Sequence, residues 1–104
     1  MTALASDLLL QQAYVDGRWV DADDGATFDV VNPATGEAIA AVPRMGAAET
    51  LRAIEAADRA LPSWRAALAR DRARILRRWA DLMLERQEEL ATLLTAEQGK
   101  PLAE

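Results

Sequence analysis

The spacing of apolar residues changes period at Gly46, and this change limits the fold more than any other feature of the chain. Downstream of it the period is helical. From Arg70 to Gln98, the residues Ile75, Leu76, Trp79, Leu82, Met83, Leu90, Leu93 and Leu94 fall within about 120° when each residue advances by about 100°. A stripe of that width predicts one long amphipathic helix lying against another surface. Gly99 is placed to end it, and Pro101 follows two positions later. A shorter helix is expected from about Ala47 to Leu61, with Leu51, Ile54 and Leu61 on one side and Pro62 as its stop. Trp64 then falls in a short connector. Pro101-Leu102-Ala103-Glu104 reads as the first turn of a further helix with Pro at its first position. One turn cannot sustain itself, so a truncated chain is expected.

Upstream of Gly46 the punctuation belongs to strands. Ala13-Tyr14-Val15 and Arg18-Trp19-Val20 flank Asp16-Gly17, a pair suited to the two positive φ angles of a type I′ hairpin turn. Asp24-Gly25 precedes Thr27-Phe28-Asp29-Val30-Val31, and Asn32-Pro33-Ala34-Thr35-Gly36 is dense in turn formers. Ala38 to Val42 follows, closed by Pro43. Three or four short antiparallel strands followed by two amphipathic helices make the expected fold class α+β, with an N-terminal arm over 1–12 and a single unit over 13–104.

The core is expected to be thin. Of 53 apolar residues, 23 are alanine, which leaves 30 larger side chains for a chain of 104 residues. That suffices for one domain at most. Charged residues interrupt every Leu-rich stretch, so no segment is expected to span a bilayer. The first ten residues lack a positive start and contain Asp7, unlike a secretory signal. A soluble, cytoplasmic protein with a loose N-terminal arm is the expectation. Cys and His are absent, which excludes thiolate catalysis, imidazole proton transfer, disulfides and the usual zinc sites. Gly99-Lys100 is followed by Pro101, where a phosphate-binding loop needs Ser or Thr for magnesium.

Charge is unevenly placed. Residues 1–50 carry a net −6 and residues 51–104 a net +1. The acidic total disfavours broad nucleic-acid binding. Six arginines lie between Arg65 and Arg78 with only Asp71 opposing them, so a nucleic-acid or acidic-partner role is one reading. A solvated helix face is the plainer one, because Arg70, Arg74, Arg77 and Arg78 lie away from the apolar stripe. A free-standing interaction module, docking through its long helix, is a further alternative.

Several strings together resemble the opening of an aldehyde dehydrogenase subunit. They are Tyr14-Val15-Asp16-Gly17-Arg18-Trp19-Val20, then Phe28 through Glu37 with its Asn32-Pro33-Ala34-Thr35-Gly36 turn. Ala53-Ile54-Glu55-Ala56-Ala57-Asp58, Trp64, Arg74-Ile75-Leu76-Arg77-Arg78 and Asp81-Leu82-Met83 follow in order. Glu97-Gln98-Gly99-Lys100-Pro101-Leu102-Ala103-Glu104 closes the series, and with Leu61-Pro62-Ser63-Trp64 it most resembles the NAD(P)-dependent succinate-semialdehyde dehydrogenases. The resemblance implies an oxidoreductase parent with NAD or NADP as cofactor. Its chemistry is thiolate attack on an aldehyde, hydride transfer and thioester hydrolysis. The family's Cys, its Glu base, its Asn oxyanion donor and its main cofactor contacts would all lie downstream of Glu104. The resemblance therefore implies an inactive scaffold, part of an α/β cofactor-binding domain, whose partner is the remainder of its own subunit. The parent is expected to be a homo-oligomer, with no nucleic-acid or membrane partner.

Glu97 is the one residue with an expected role beyond packing. By the 100° rule it projects at about 40° from Ile75, inside the stripe, and the helix dipole disfavours a carboxylate in a last turn. Lys100, an arginine or solvent is one source of compensation. The resemblance implies another: a structural Na+ or K+ held by the backbone carbonyls of Val30 and Val31 and by the carboxylate of Glu97.

Overall fold

The computed structural model describes residues 6–104. Two antiparallel hairpins come first. In one, β1 (Ala13–Val15) pairs with β2 (Arg18–Val20), placing Tyr14 opposite Trp19. Asp16 and Gly17 both take positive φ, 53° and 75°, as the tight turn requires. In the other, β3 (Thr27–Val31) pairs with β4 (Ala38–Pro43), with a register shift between Val30 and Val31. The hairpins are two separate two-stranded sheets. Three helices follow: α1 (Ala47–Ala66), α2 (Ala69–Glu85) and α3 (Gln87–Gln98). The fold is α+β, as expected.

The helices differ from expectation in two respects. Pro62 does not end α1, which continues through Trp64 to Ala66. The carbonyl that Pro62 cannot serve belongs to Asp58, which is exposed to water, and the Ser63 hydroxyl donates to the Ala60 carbonyl at 3.2 Å. The long helix is two helices, broken at Arg86 with φ −115° and ψ 26°. The Arg86 N–H donates to the Leu82 and Met83 carbonyls, both at 3.2 Å, and α3 begins at once. A single 100° phase thus cannot carry from Ile75 to Glu97. Pro101–Glu104 forms one turn, as expected, closed by the Glu104 N–H on the Pro101 carbonyl at 3.1 Å.

Burial departs further. The face of α1 that meets the first hairpin is its alanine and charged face, not Leu51, Ile54 and Leu61, which are all exposed. Ala56 is buried there, and Arg52 and Arg59 reach Asp23 and Asp16 at 2.6 and 3.6 Å. Among the described residues only Ala22 and Ala56 are buried, while nineteen large apolar side chains are exposed. The shape agrees: extents of 47 × 36 × 19 Å and a radius of gyration of 16.7 Å, against about 13 Å for a compact chain of this length.

The arm is not loose throughout. The Ser6 hydroxyl donates to Glu89 at 2.8 Å, Asp7 pairs with Arg86, and Gln11 accepts the Ala41 N–H at 3.0 Å. Residues 1–5 of that arm lie outside the described residues. Among those described, no helix is long and apolar enough to cross a membrane.

Candidate functional site

The corner where β3 ends and α3 ends is the place the sequence marks out. Asn32 organises the turn after β3: its side chain accepts the Ala34 N–H at 2.9 Å and its carbonyl accepts the Gly36 N–H at 2.8 Å. Gly99 ends α3 in the left-handed conformation (φ 85°), its N–H donating to the Thr95 carbonyl at 2.9 Å. A Cβ on Gly99 would stand 3.2 Å from Cγ of Pro33, so the end of α3 abuts the Asn-Pro turn. Pro33 lies two residues after Val31 and Gly99 two after Glu97, so this contact is just beyond both.

Glu97 is exposed, and among the described residues it has neither a hydrogen bond nor an ion pair. Lys100 does not compensate it, because Lys100 faces Glu104 at 4.0 Å. No group of three His, Cys, Asp or Glu side chains suited to a metal occurs among the described residues. Acting together, Glu97 and the carbonyls of Val30 and Val31 would offer one carboxylate and two backbone oxygens. Oxygen donors of that kind suit a hard monovalent ion rather than a transition metal.

Two polar clusters were not visible as such in the sequence. Glu49 reaches back from the first turn of α1 to the N–H groups of Gly46 at 2.8 Å and Asp23 at 3.0 Å, joining the helix start to the connection that follows the first hairpin. Beside it a groove of about 440 Å³ runs between that hairpin and α1, lined by Asp16, Asp23, Glu49, Arg52 and Arg59 among others. Its charges largely answer one another; the paired Asp23 carboxylate holds the Arg52 guanidinium above its ordinary range. In the second cluster Arg86 binds Asp7 and Glu89 together, with Nε at 3.0 Å from Glu89. The Arg86 hydrogen bond pulls the carboxyls of Asp7 and Glu89 below the usual carboxylate range, with Ser6 adding to the effect at Glu89. Glu89 three residues after Arg86 is a helix neighbour that spacing reveals. Asp7 is 79 residues away, and nothing local announces it.

The first cluster holds no hydroxyl, thiol or amine; in the second the Ser6 hydroxyl donates to Glu89, whose carboxylate Arg86 holds below the usual range and so leaves a weak base. The arginines between Arg65 and Arg78 contact Asp71 and Glu85 only at long range, at 3.9 and 3.6 Å.

The sequence profile of the aldehyde dehydrogenase family matches residues 19–104. The chain belongs to the aldehyde dehydrogenase family. Within that family it is 70% identical over 97 residues to a glutarate-semialdehyde dehydrogenase of Pseudomonas aeruginosa, covering 93% of this chain and 20% of that protein. It is 58% identical over 99 residues to the NADP(+) succinate-semialdehyde dehydrogenase of Escherichia coli, covering 95% and 20%. The crystal structure of succinate-semialdehyde dehydrogenase from Burkholderia pseudomallei superposes with a TM-score of 0.92 at 55% identity, over 100% of this chain and 22% of that one. The chain thus spans about a fifth of the length of these aldehyde dehydrogenases. The α+β arrangement of hairpins and helices is a part of the aldehyde dehydrogenase fold.

Proposed function

We propose that the chain is the opening scaffold of the cofactor-binding domain in a semialdehyde dehydrogenase. That enzyme oxidises a dicarboxylic semialdehyde, succinate or glutarate semialdehyde, to the acid with NAD or NADP. The scaffold itself is inactive: oxidation through a thiolate needs a Cys, and this sequence has none. Bound in the complete subunit, the nicotinamide would accept the hydride. The residues described above orient the hairpins and helices around it and do not touch the reacting atoms.

The observation that carries the scaffold role is the surplus of exposed surface, large apolar side chains among it. The chain exposes 8034 Å², whereas a compact protein of 11.3 kDa exposes about 5,700 Å². The surplus, about 2,300 Å², exceeds the ~800 Å² that each partner contributes to an ordinary interface. The partner we propose is the remainder of the same subunit, and the complete enzyme is a cytoplasmic homo-oligomer. The Val30, Val31 and Glu97 corner would hold Na+ or K+ there as a structural ion, tying the strand before Asn32 to the end of α3.

Two preparations test this. The purified 104-residue chain should form no NADH or NADPH from either semialdehyde. A chimera in which it replaces the matched 97 residues of the Pseudomonas aeruginosa enzyme should be soluble and active. An inactive chimera would reject the enzymatic reading and favour a free-standing interaction module.

A further inference from the structure

The apolar face of α2 carries one charge that does not belong on it. With Ile75 at 0°, Trp79 projects at about 40°, Met83 at about 80° and Arg72 at about 60°, between them. The other arginines of the helix lie outside the stripe, from Arg77 at about 200° to Arg78 at about 300°. Arg72 is half-buried, and its Nε is buried with no hydrogen-bond acceptor. A desolvated guanidinium N–H without an acceptor is costly and uncommon in folded proteins. The half-buried Arg72 side chain thus stands unanswered among the described residues, on the same face as Ile75, Trp79 and Met83, all of them exposed here.

We infer that the surface covering α2 is an apolar face of the remaining subunit that presents a carboxylate to Arg72. A planar, always-charged fork in an apolar setting is best matched by a carboxylate, which balances its charge as well as its donors. A second copy of the chain fits poorly. A two-fold contact of α2 on α2 would bring Arg72 and the neighbouring arginines against the same set. The proposal rests on the scaffold reading above, and adds to it the chemistry of the covering surface.

The chimera tests the inference through its thermal unfolding, which does not depend on activity. Arg72→Met keeps the apolar stem and removes the charge; its midpoint should fall by about 5 °C or more. Arg77→Met removes the same charge from the opposite face and should stay within about 1 °C. Should Arg72→Met fail to fold, two milder variants carry the test. Arg72→Lys should keep more stability than Arg72→Gln if the acceptor is a carboxylate. The reverse order, or Arg72 variants matching Arg77→Met, would overturn the inference while an active chimera left the scaffold reading standing. An insoluble chimera would overturn both.

Discussion

The strand half and the helical half of this chain answer to different kinds of information. In residues 13–43 the structure follows local chemistry. Asp16-Gly17 supplies two positive φ angles, Asn32 closes its own turn, and each strand finds its partner across a short connection. In residues 47–98 the helices form, but their apolar faces stay largely exposed among the described residues. A hairpin is completed by residues a few positions away. An amphipathic helix is completed by a surface that need not be nearby in sequence, or in this chain at all.

The largest effect separating the two regions should come from Trp79. In the isolated chain its side chain is already 59% exposed, so Trp79→Ala should change stability by within about 0.5 kcal/mol. In the chimera the covered ring should cost about 3–5 kcal/mol on removal, measured by urea unfolding. Equal effects in the two backgrounds would mean that α2 is not covered in the larger protein.

Two glycines sharpen the comparison on a smaller scale. Gly17→Ala forces a side chain into φ 75° with open space around it, and should cost about 1 kcal/mol. Gly99→Ala meets the same strain at φ 85° and also meets Pro33 at 3.2 Å, so it should cost more. If the two are equal by thermal unfolding of the chimera, the contact between α3 and the Asn-Pro turn is not stabilising. The same corner predicts that K+ or Na+ stabilises the chimera over a bulky organic cation, and that Glu97→Gln abolishes the difference. Retention of the difference in the mutant would place the ion elsewhere.

The smallest expected effect is electrostatic, at the contact between the N-terminal arm and the helical half. Asp7 and Glu89 have lowered pKa values in the folded chain, so their contribution is present above the ordinary carboxylate value of about 4. It is lost as pH falls through their folded values, while Arg86 stays charged. Hydrogen exchange at residues 6–12 should therefore slow on acidification by less than its intrinsic pH dependence requires, an excess over the intrinsic rate. Arg86→Met should remove that excess. Exchange that follows the intrinsic curve in both proteins would leave this contact without thermodynamic weight.

The legibility of the sequence follows the same division. Asp16-Gly17, the Asn32–Gly36 turn and Gly99 act through their own backbone, and each is where the sequence puts it. The break at Arg86 was not legible. Glu89 is within helix reach of Arg86, but Asp7, the other half of the clamp, comes from the far end of the chain. Nor was the docking side of α1. Apolar spacing pointed to Leu51, Ile54 and Leu61, whereas the contact inside this chain is made by Ala56 and paired charges. Hydrophobic periodicity reports the face that a helix buries in its complete surroundings. At the candidate cation corner the spacing of Asn32-Pro33 and Gly99 was readable, but the phase assigned to Glu97 assumed an unbroken helix.

The central claim is that this chain supplies scaffold and no part of the substrate choice. Its similarity to both a glutarate-semialdehyde and a succinate-semialdehyde dehydrogenase is consistent with that. The most direct measurement is the ratio of kcat/KM for glutarate semialdehyde to that for succinate semialdehyde, in the chimera and in the unaltered Pseudomonas aeruginosa enzyme. Scaffold alone predicts the same ratio within about threefold, a difference of less than 1 kcal/mol in relative transition-state binding. A ratio shifted by about tenfold or more in an otherwise active chimera would show that these residues help choose the aldehyde, and would contradict the account.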